Sequence, residues 1–351
     1  MRCGSGLLGR LVSESGRLMS LGRGPRRGCP PPEGVDVAYP LKFFGITANA
    51  VARLPEWNRS RQSGDDKVLR HSGRGADVSA PGCYVCRMAD TSPLRMNDLA
   101  GKARADVADL LDLQLSPLGL RAIEALSPQI GEAVLDVGCG AGQSVLQIAD
   151  RVGPGGRVTG VDIAPPLLEL ARRRAVGRSH VDFMECDAQR LALPERSIDC
   201  VFSRFGVMAF QDPVAAFSNF RRMMKPSGRL AFVCWRTLEE NELDLLPLRA
   251  AGLEEWLDPT PFRFADSGTI RTTLQTAGFR QVAIQAHDET VSSGDLDAML
   301  VVLLSVGPLG KIIRENPDMR AAAEPRVRAA LAARGNQAAL NAATWVVTAR
   351  P

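Results

Sequence analysis

The stretch Val134-Leu-Asp-Val-Gly-Cys-Gly-Ala-Gly142 is an apolar run that ends in three glycines at alternate positions. A short apolar run bounded by glycines reads as a buried strand entering a tight turn. Directly after it, Gln143 to Val152 carry Val145, Leu146, Ile148 and Ala149 at helical spacing. Strand, glycine loop and helix in this order form the opening unit of a nucleotide-binding α/β domain. Gly138, Gly140 and Gly142 lack side chains, so the backbone there can turn sharply and approach a ligand closely.

Asp136, two residues before the first glycine, narrows the ligand. A dinucleotide site sets a pyrophosphate at the N-terminus of the following helix, and a carboxylate there repels it. Gln143 also stands where the dinucleotide pattern needs its last glycine or alanine. S-adenosylmethionine has no phosphate and carries an ammonium and a sulfonium, both cationic. With Asp136 joined to Gly138, Gly140 and Gly142, the sequence resembles the class I S-adenosylmethionine-dependent methyltransferases. The resemblance implies a Rossmann-like α/β fold with a seven-stranded, mostly parallel sheet and an antiparallel edge hairpin, the seventh strand lying between the fifth and sixth. It also implies S-adenosyl-L-methionine as cofactor and methyl transfer as activity. Two other classes compete, a nicotinamide-dependent oxidoreductase and a binding module that keeps the fold without the chemistry. Asp136 opposes the first, and the retention of Asp136, Asp162 and Asp187 opposes the second.

Two further acids sit at expected strand ends. Gly156-Arg-Val-Thr-Gly-Val-Asp162 reads as the second strand, with Asp162 twenty residues beyond Gly142. A carboxylate there can accept from both vicinal ribose hydroxyls. The competing reading is a helix cap, since Ala164-Pro165-Pro166 starts a helix. His180 to Cys186 reads as the third strand, ending at Asp187-Ala188, with His180 a surface residue rather than a base. By the resemblance, Ile163 lies against the adenine, Asp187 accepts from its amino group and the Ala188 N–H meets a ring nitrogen. A turn-capping role is the alternative for Asp187.

Ser197 to Ser203 reads as the fourth strand, and Ser203-Arg204-Phe205-Gly206 as the turn after it, where open α/β sheets bind ligands. The resemblance places Ser203 with the cofactor and Arg204, Phe205 and Trp235 with the acceptor. The Asn/Asp-Pro-Pro-Tyr signature of nucleic-acid amino methylation is absent, as is a Pro-Cys nucleophile, so the expected acceptor is a small molecule and not nucleic acid. Asp212 to Lys225 reads as a capped helix with Val214, Phe217, Phe220, Met223 and Met224 as its core face. Pro226-Ser-Gly228 then turns the chain into a fifth strand, Arg229 to Trp235. The run from Ser203 through Asp212-Pro213 to Cys234-Trp235-Arg236 resembles relatives of the quinone-biosynthesis methyltransferases. Leu238 to Trp256 reads as a helical insertion, and Trp235, Trp256 and Phe262 either line an apolar acceptor pocket or pack in the core. A helix (Asp266 to Ala277), a strand (Gln281 to His287), a mostly helical stretch (Ser293 to Arg334) and a last strand (Ala339 to Arg350) follow.

Composition separates the chain into two parts. Residues 1–95 hold 15 Lys/Arg and 8 Asp/Glu, while the whole 351-residue chain has a net charge of only +4, so the folded part is mildly acidic. That excludes a basic nucleic-acid face on it. Gly22-Arg-Gly-Pro-Arg-Arg-Gly and Pro30-Pro-Pro bury too little apolar surface to offset chain entropy, so 1–95 reads as a low-complexity, disordered extension. A start upstream of the true one at Met96, a transit peptide and a regulatory or substrate-covering arm are the readings of that extension. Within it Cys83-Tyr-Val-Cys86 lacks the second ligand pair that zinc requires, so no metal is expected. The methyltransferase domain takes 96–351, with helical lid elements at 96–127, 238–262 and 293–334; Leu99 to Leu113 and Pro117 to Leu126 are the first two helices. No run reaches membrane-spanning length, and cysteines inside strands, Cys200 and Cys234, read as reduced, buried thiols of a cytoplasmic protein. The sequence names no catalytic base. Arg204, Gln211 and Asp212 lie near the right strand end, each with a structural alternative.

Overall fold

The computed structural model describes residues 94–335 and 338–351. The extension and the Cys83–Cys86 pair lie outside the described residues, except that Leu94 and Arg95 begin the first helix. Two helices, α1 (Leu94–Asp106) and α2 (Ala108–Leu126), precede β1 (Ala133–Val137). The glycine loop leads to α3 (Gln143–Val152), β2 (Arg157–Asp162), α4 (Pro165–Arg174), β3 (Val181–Glu185) and β4 (Ile198–Arg204). Then come α5 (Pro213–Met223), β5 (Met224–Trp235), α6 (Glu242–Ala251), α7 (Ser267–Thr276) and β6 (Arg280–Val291). Three helices, α8 (Leu296–Ser305), α9 (Gly307–Glu315) and α10 (Arg320–Ala332), lead to β7 (Leu340–Arg350).

The seven strands are ordered β3-β2-β1-β4-β5-β7-β6. β7 runs antiparallel to both neighbours and the other contacts are parallel. The expected insertion of the last strand between the fifth and sixth is therefore present. Strand alternation sorts the core onto two faces. Val134, Cys200, Phe202, Ala231 and Val233 meet Ala122, Ile123 and Leu126 of α2 and Val145, Ile148 and Val152 of α3. Leu135, Val137, Val201, Leu230 and Phe232 meet Phe217, Phe220 and Met223 of α5 and Ile270 and Leu274 of α7. Phe217 is the centre of that second face, with five other rings 5.7 to 6.3 Å away. Each such buried ring contributes about 2–3 kcal/mol of transfer free energy.

Several boundaries differ from the sequence reading. The helix break falls at Val107, and Pro117 lies inside α2. Proline removes the N–H that would bond the Leu113 carbonyl, but Pro117 and Leu113 both sit on the exposed side of the helix, where an unpaired carbonyl is not desolvated. The helix expected to reach Lys225 stops at Met223, because Met224 already pairs with Ile198 in the sheet. Residues 225–228 bulge before pairing resumes at Cys200–Arg229, and Lys225 reaches back to Asp199 at 2.8 Å. The Leu238–Trp256 insertion is not one helix: α6 is flanked by two short 3-10 turns. No single helix among the described residues is long and apolar enough to cross a membrane. Cys139, Cys200 and Cys234 are buried free thiols whose pKa burial pushes up, which leaves them protonated and unreactive.

Candidate functional site

The C-terminal ends of β1, β2 and β4 converge on the glycine loop. The Gly138 and Cys139 N–H groups donate to the Val161 carbonyl at 2.8 and 3.1 Å, which ties the loop to β2. Gly138 has φ +71°, and a Cβ there would meet the Gly206 Cα at 2.7 Å. Gly206 is the matching half of this contact, since its own Cβ would stand 2.4 Å from the Val137 carbonyl oxygen. The turns after β1 and β4 thus touch backbone to backbone. Gly140, at φ +54°, differs: an added Cβ would meet nothing within 4 Å. The loop is open at that one point.

Three acids were expected around this loop. Asp136 is fully buried, and its Oδ2 accepts from Ser144 Oγ at 2.5 Å. Its Oδ1 is buried without a partner among the described residues. Desolvation pushes its pKa up to about 7, against the Ser144 hydrogen bond and the Arg204 charge, which lower it; the Asp162 charge raises it further. Asp162 accepts from the Gly140 N–H through Oδ2 at 2.9 Å and from the Ala164 N–H through Oδ1 at 3.0 Å. It is not the cap of α4, which is Ala164, and each of its oxygens keeps a lone pair for a further donor. Asp187 caps a short 3-10 turn that begins at Ala188, accepting from the Gln189 N–H at 3.0 Å, and its side chain remains half exposed. Ile163 is exposed beside Asp162 and Ala188 is buried.

The residues after β4 sit differently from expectation. Ser203 is fully buried; its hydroxyl donates to the Val137 carbonyl at 2.8 Å and accepts from the Gly206 N–H at 3.1 Å. Both functions are used inside the fold, so Ser203 fixes the contact between the two turns and presents no hydroxyl to a ligand. Arg204, expected at the acceptor, lies across α2, where Gly119 leaves room for its Cδ. Its guanidinium donates to Gln143 Oε1 and, at 3.2 Å, to Asp112 Oδ1. The other Asp112 oxygen takes Arg174 at 2.8 Å, and Arg174 also holds the Ala141 carbonyl at 3.0 Å and pairs with Asp109. The first turns of α2 are therefore tied to the glycine loop, to α3, to α4 and to β4 at once. At its far end α2 is held by Arg229, which caps the Leu126 carbonyl at 2.9 Å and pairs with Glu132.

Phe205 has φ +61°, a left-handed conformation that costs a bulky residue about 1–2 kcal/mol. Its ring stacks on Trp235 with centroids 3.9 Å apart and planes 19° apart. Trp235 is buried, Phe262 packs partly against the same core, and Trp256 is half exposed. Sequence reasoning missed Asp112, Arg174, Ser144 and Gly206. Only Gly119, a glycine inside a helix, signalled the close approach.

Comparison with known proteins agrees with this geometry. A family model described as a methyltransferase domain matches residues 135–232. Aklanonic acid methyltransferase of Streptomyces sp. strain C5 is 34% identical over 148 residues, covering 41% of this chain and 67% of that protein. Nocamycin O-methyltransferase of Saccharothrix syringae is 28% identical, covering 59% of this chain and 80% of its own. Demethylmenaquinone methyltransferase of Staphylococcus carnosus strain TM300 is 25% identical, covering 49% and 78%. With its sheet order, its glycine loop and these relatives, the chain belongs to the class I S-adenosylmethionine-dependent methyltransferases and is related to those that act in quinone biosynthesis.

Proposed function

We propose that the glycine loop and the acids Asp136 and Asp162 hold S-adenosylmethionine, and that the chain transfers its methyl group to a small, flat, largely apolar acceptor. The observation that carries the cofactor assignment is the buried Asp136 Oδ1, an acceptor without a partner among the described residues, on the strand that leads into the glycine loop, whose backbone is open at Gly140. An unpaired buried carboxylate oxygen is costly unless a cation or donor meets it, and the cofactor's ammonium is such a group. Asp162 keeps one lone pair on each oxygen for the two ribose hydroxyls, with Ile163 exposed next to it for the adenine face. Asp187 and the Ala188 N–H lie at the next strand end for the adenine edge. In this reading Gly138 and Gly142 shape the loop, and Ser203 acts by pinning it.

When bound, the cofactor supplies a methyl group already activated on sulfur. The chain's own contribution is then to bind, align and keep water away. The stacked Phe205–Trp235 pair supports a planar acceptor, since an aromatic shelf favours ring-on-ring contact. The energy stored at Phe205 is consistent with a residue placed for function. No residue is assigned as general base; whether one is needed depends on the pKa of the acceptor.

Calorimetry with S-adenosylhomocysteine tests the cofactor reading. Wild type is expected to bind in the micromolar range, and no binding at millimolar concentration would sink it. Asp162→Ala removes two charge-assisted hydrogen bonds to ligand and should weaken binding by about 2–4 kcal/mol, or 30-fold and more. An affinity within threefold of wild type means the ribose lies elsewhere. Turnover against small phenols, quinones and amines then identifies the acceptor, and preference for amines without a ring would remove the shelf argument.

A further inference from the structure

We propose that Arg204 is a positioning residue for cofactor binding: its guanidinium, fixed by Gln143 and Asp112, sustains the negative charge on Asp136 that receives the cofactor's ammonium. The inference rests on the assignment of Asp136 above. Asp136 pairs with Phe202 across β1 and β4, so Asp136, Phe202 and Arg204 point to one face of the sheet. Arg204 bonds Gln143, and the next residue, Ser144, bonds Asp136. Asp136 thus has one neutral donor and one unpaired oxygen in a fully buried place.

A carboxylate so placed ionises only as far as hydrogen bonds and nearby positive charge offset its desolvation, here first the Ser144 hydroxyl and then the Arg204 guanidinium. The charged groups that act on it are Asp162 from β2 and Arg204 from β4, with the protonated Cys139 thiol beside it; Arg204 is itself paired with Asp112 of α2, which also holds Arg174 of α4. Arg204 is the cation whose field lowers the Asp136 pKa, and Asp162 opposes it. Asp112, paired with Arg204 at 3.2 Å, weakens both the arginine's field at Asp136 and its repulsion of the incoming cation, so what acts on the site is a partly compensated positive charge. The arginine is only 12% exposed and Asp112 13%, so water screens little of this field.

The sign is explicit. The ammonium binds the ionised form of Asp136, so affinity falls as pH drops through the free protein's Asp136 pKa of about 7. Arg204→Met keeps the stem beside Gly119 and removes the charge, which raises that pKa. A rise of about one unit weakens S-adenosylhomocysteine binding about eightfold at pH 6.5 and less than about 1.5-fold at pH 8.5. Arg204→Lys should retain the wild-type pH profile. Asp112→Asn removes the group that neutralises Arg204, so its loss of affinity should move to lower pH, the opposite direction. Calorimetry at both pH values on the three variants reads all of this without turnover, with thermal unfolding recorded alongside. If Arg204→Met is weakened equally at pH 6.5 and 8.5, or if Asp112→Asn shifts the profile upward, Arg204 is only a packing residue and the inference falls. The Asp112→Asn arm decides the matter if the methionine variant does not fold. If wild type itself does not bind at either pH, it is the cofactor assignment that has failed.

Discussion

The stability of the Asp244→Asn protein relative to wild type should be greater at pH 8 than near pH 4, by the free energy that wild type loses across that window. Asp244 lies in the first turn of α6, 7% exposed, with its Oδ1 facing the start of α9 at Gly307. Burial alone pushes its pKa from 3.8 up to about 7. Between these two values the folded chain holds a proton that the unfolded chain has released. Stability therefore falls as pH rises across that window and levels off above pH 7. At 1.36 kcal/mol per unit the full window amounts to about 4 kcal/mol, an upper bound that relaxation of the site reduces. Asparagine has the same shape and does not titrate. Its buried amide adds a penalty of about 1–3 kcal/mol, but this is the same at every pH. The quantity to read is thus the slope, not the offset. Urea unfolding of both proteins at pH 4.5, 6 and 8 gives it directly, and Asp136, raised in the same direction, cancels in the difference. A stability difference that stays within about 0.5 kcal/mol from pH 4.5 to 8 would refute the argument, because Asp244 would then ionise as an exposed acid does.

Two alanine substitutions in the glycine-rich turns should behave in opposite ways. Gly206→Ala drives a methyl into the Val137 carbonyl and the Gly138 backbone, so thermal unfolding should show a loss of about 2–3 kcal/mol. Gly140→Ala meets no atom and should lose only about 1 kcal/mol from its positive φ. It should nevertheless abolish cofactor binding in calorimetry, and normal affinity there would show that the ligand does not approach that backbone. Phe205→Gly relieves the left-handed strain but removes the ring from Trp235. Stability should change by less than about 1.5 kcal/mol, while KM for a ring-bearing acceptor should rise; an unchanged KM would take Phe205 out of the acceptor site.

Much of this molecule was legible because it depends on short-range pattern. Val134 to Gly142 is strand and turn by its own chemistry, and the acids Asp136, Asp162 and Asp187 follow at strand ends that hydropathy alone locates. Other parts depend on partners far along the chain. Asp112 meets Arg174 and Arg204 only after α2 has folded across the sheet, and the one local mark of such a meeting is Gly119, a glycine inside a helix. Ser203 reads as a ligand contact in sequence because it ends a strand beside the site. In space its hydroxyl is spent on Val137 and Gly206, which only the approach of two turns reveals. Pro117 reads in sequence as the start of a second helix, yet it lies on the exposed side inside α2, which runs from Ala108 to Leu126.

The position of β7 has a consequence for the order in which the fold can assemble. β5 pairs with β7 from Leu230–Ala349 to Trp235–Thr344, and β6 reaches the sheet only through β7. Strands β1 to β5 can form a sheet by parallel neighbours alone, but β6 has no place in it until more than a hundred residues after β5 have been made. Until then β5 presents an unsatisfied edge, the kind that pairs with other chains. Closing such a long loop is slow compared with forming the β1–β5 part. Expression with even a short deletion within Leu340–Arg350 should therefore give aggregate, not a smaller folded domain.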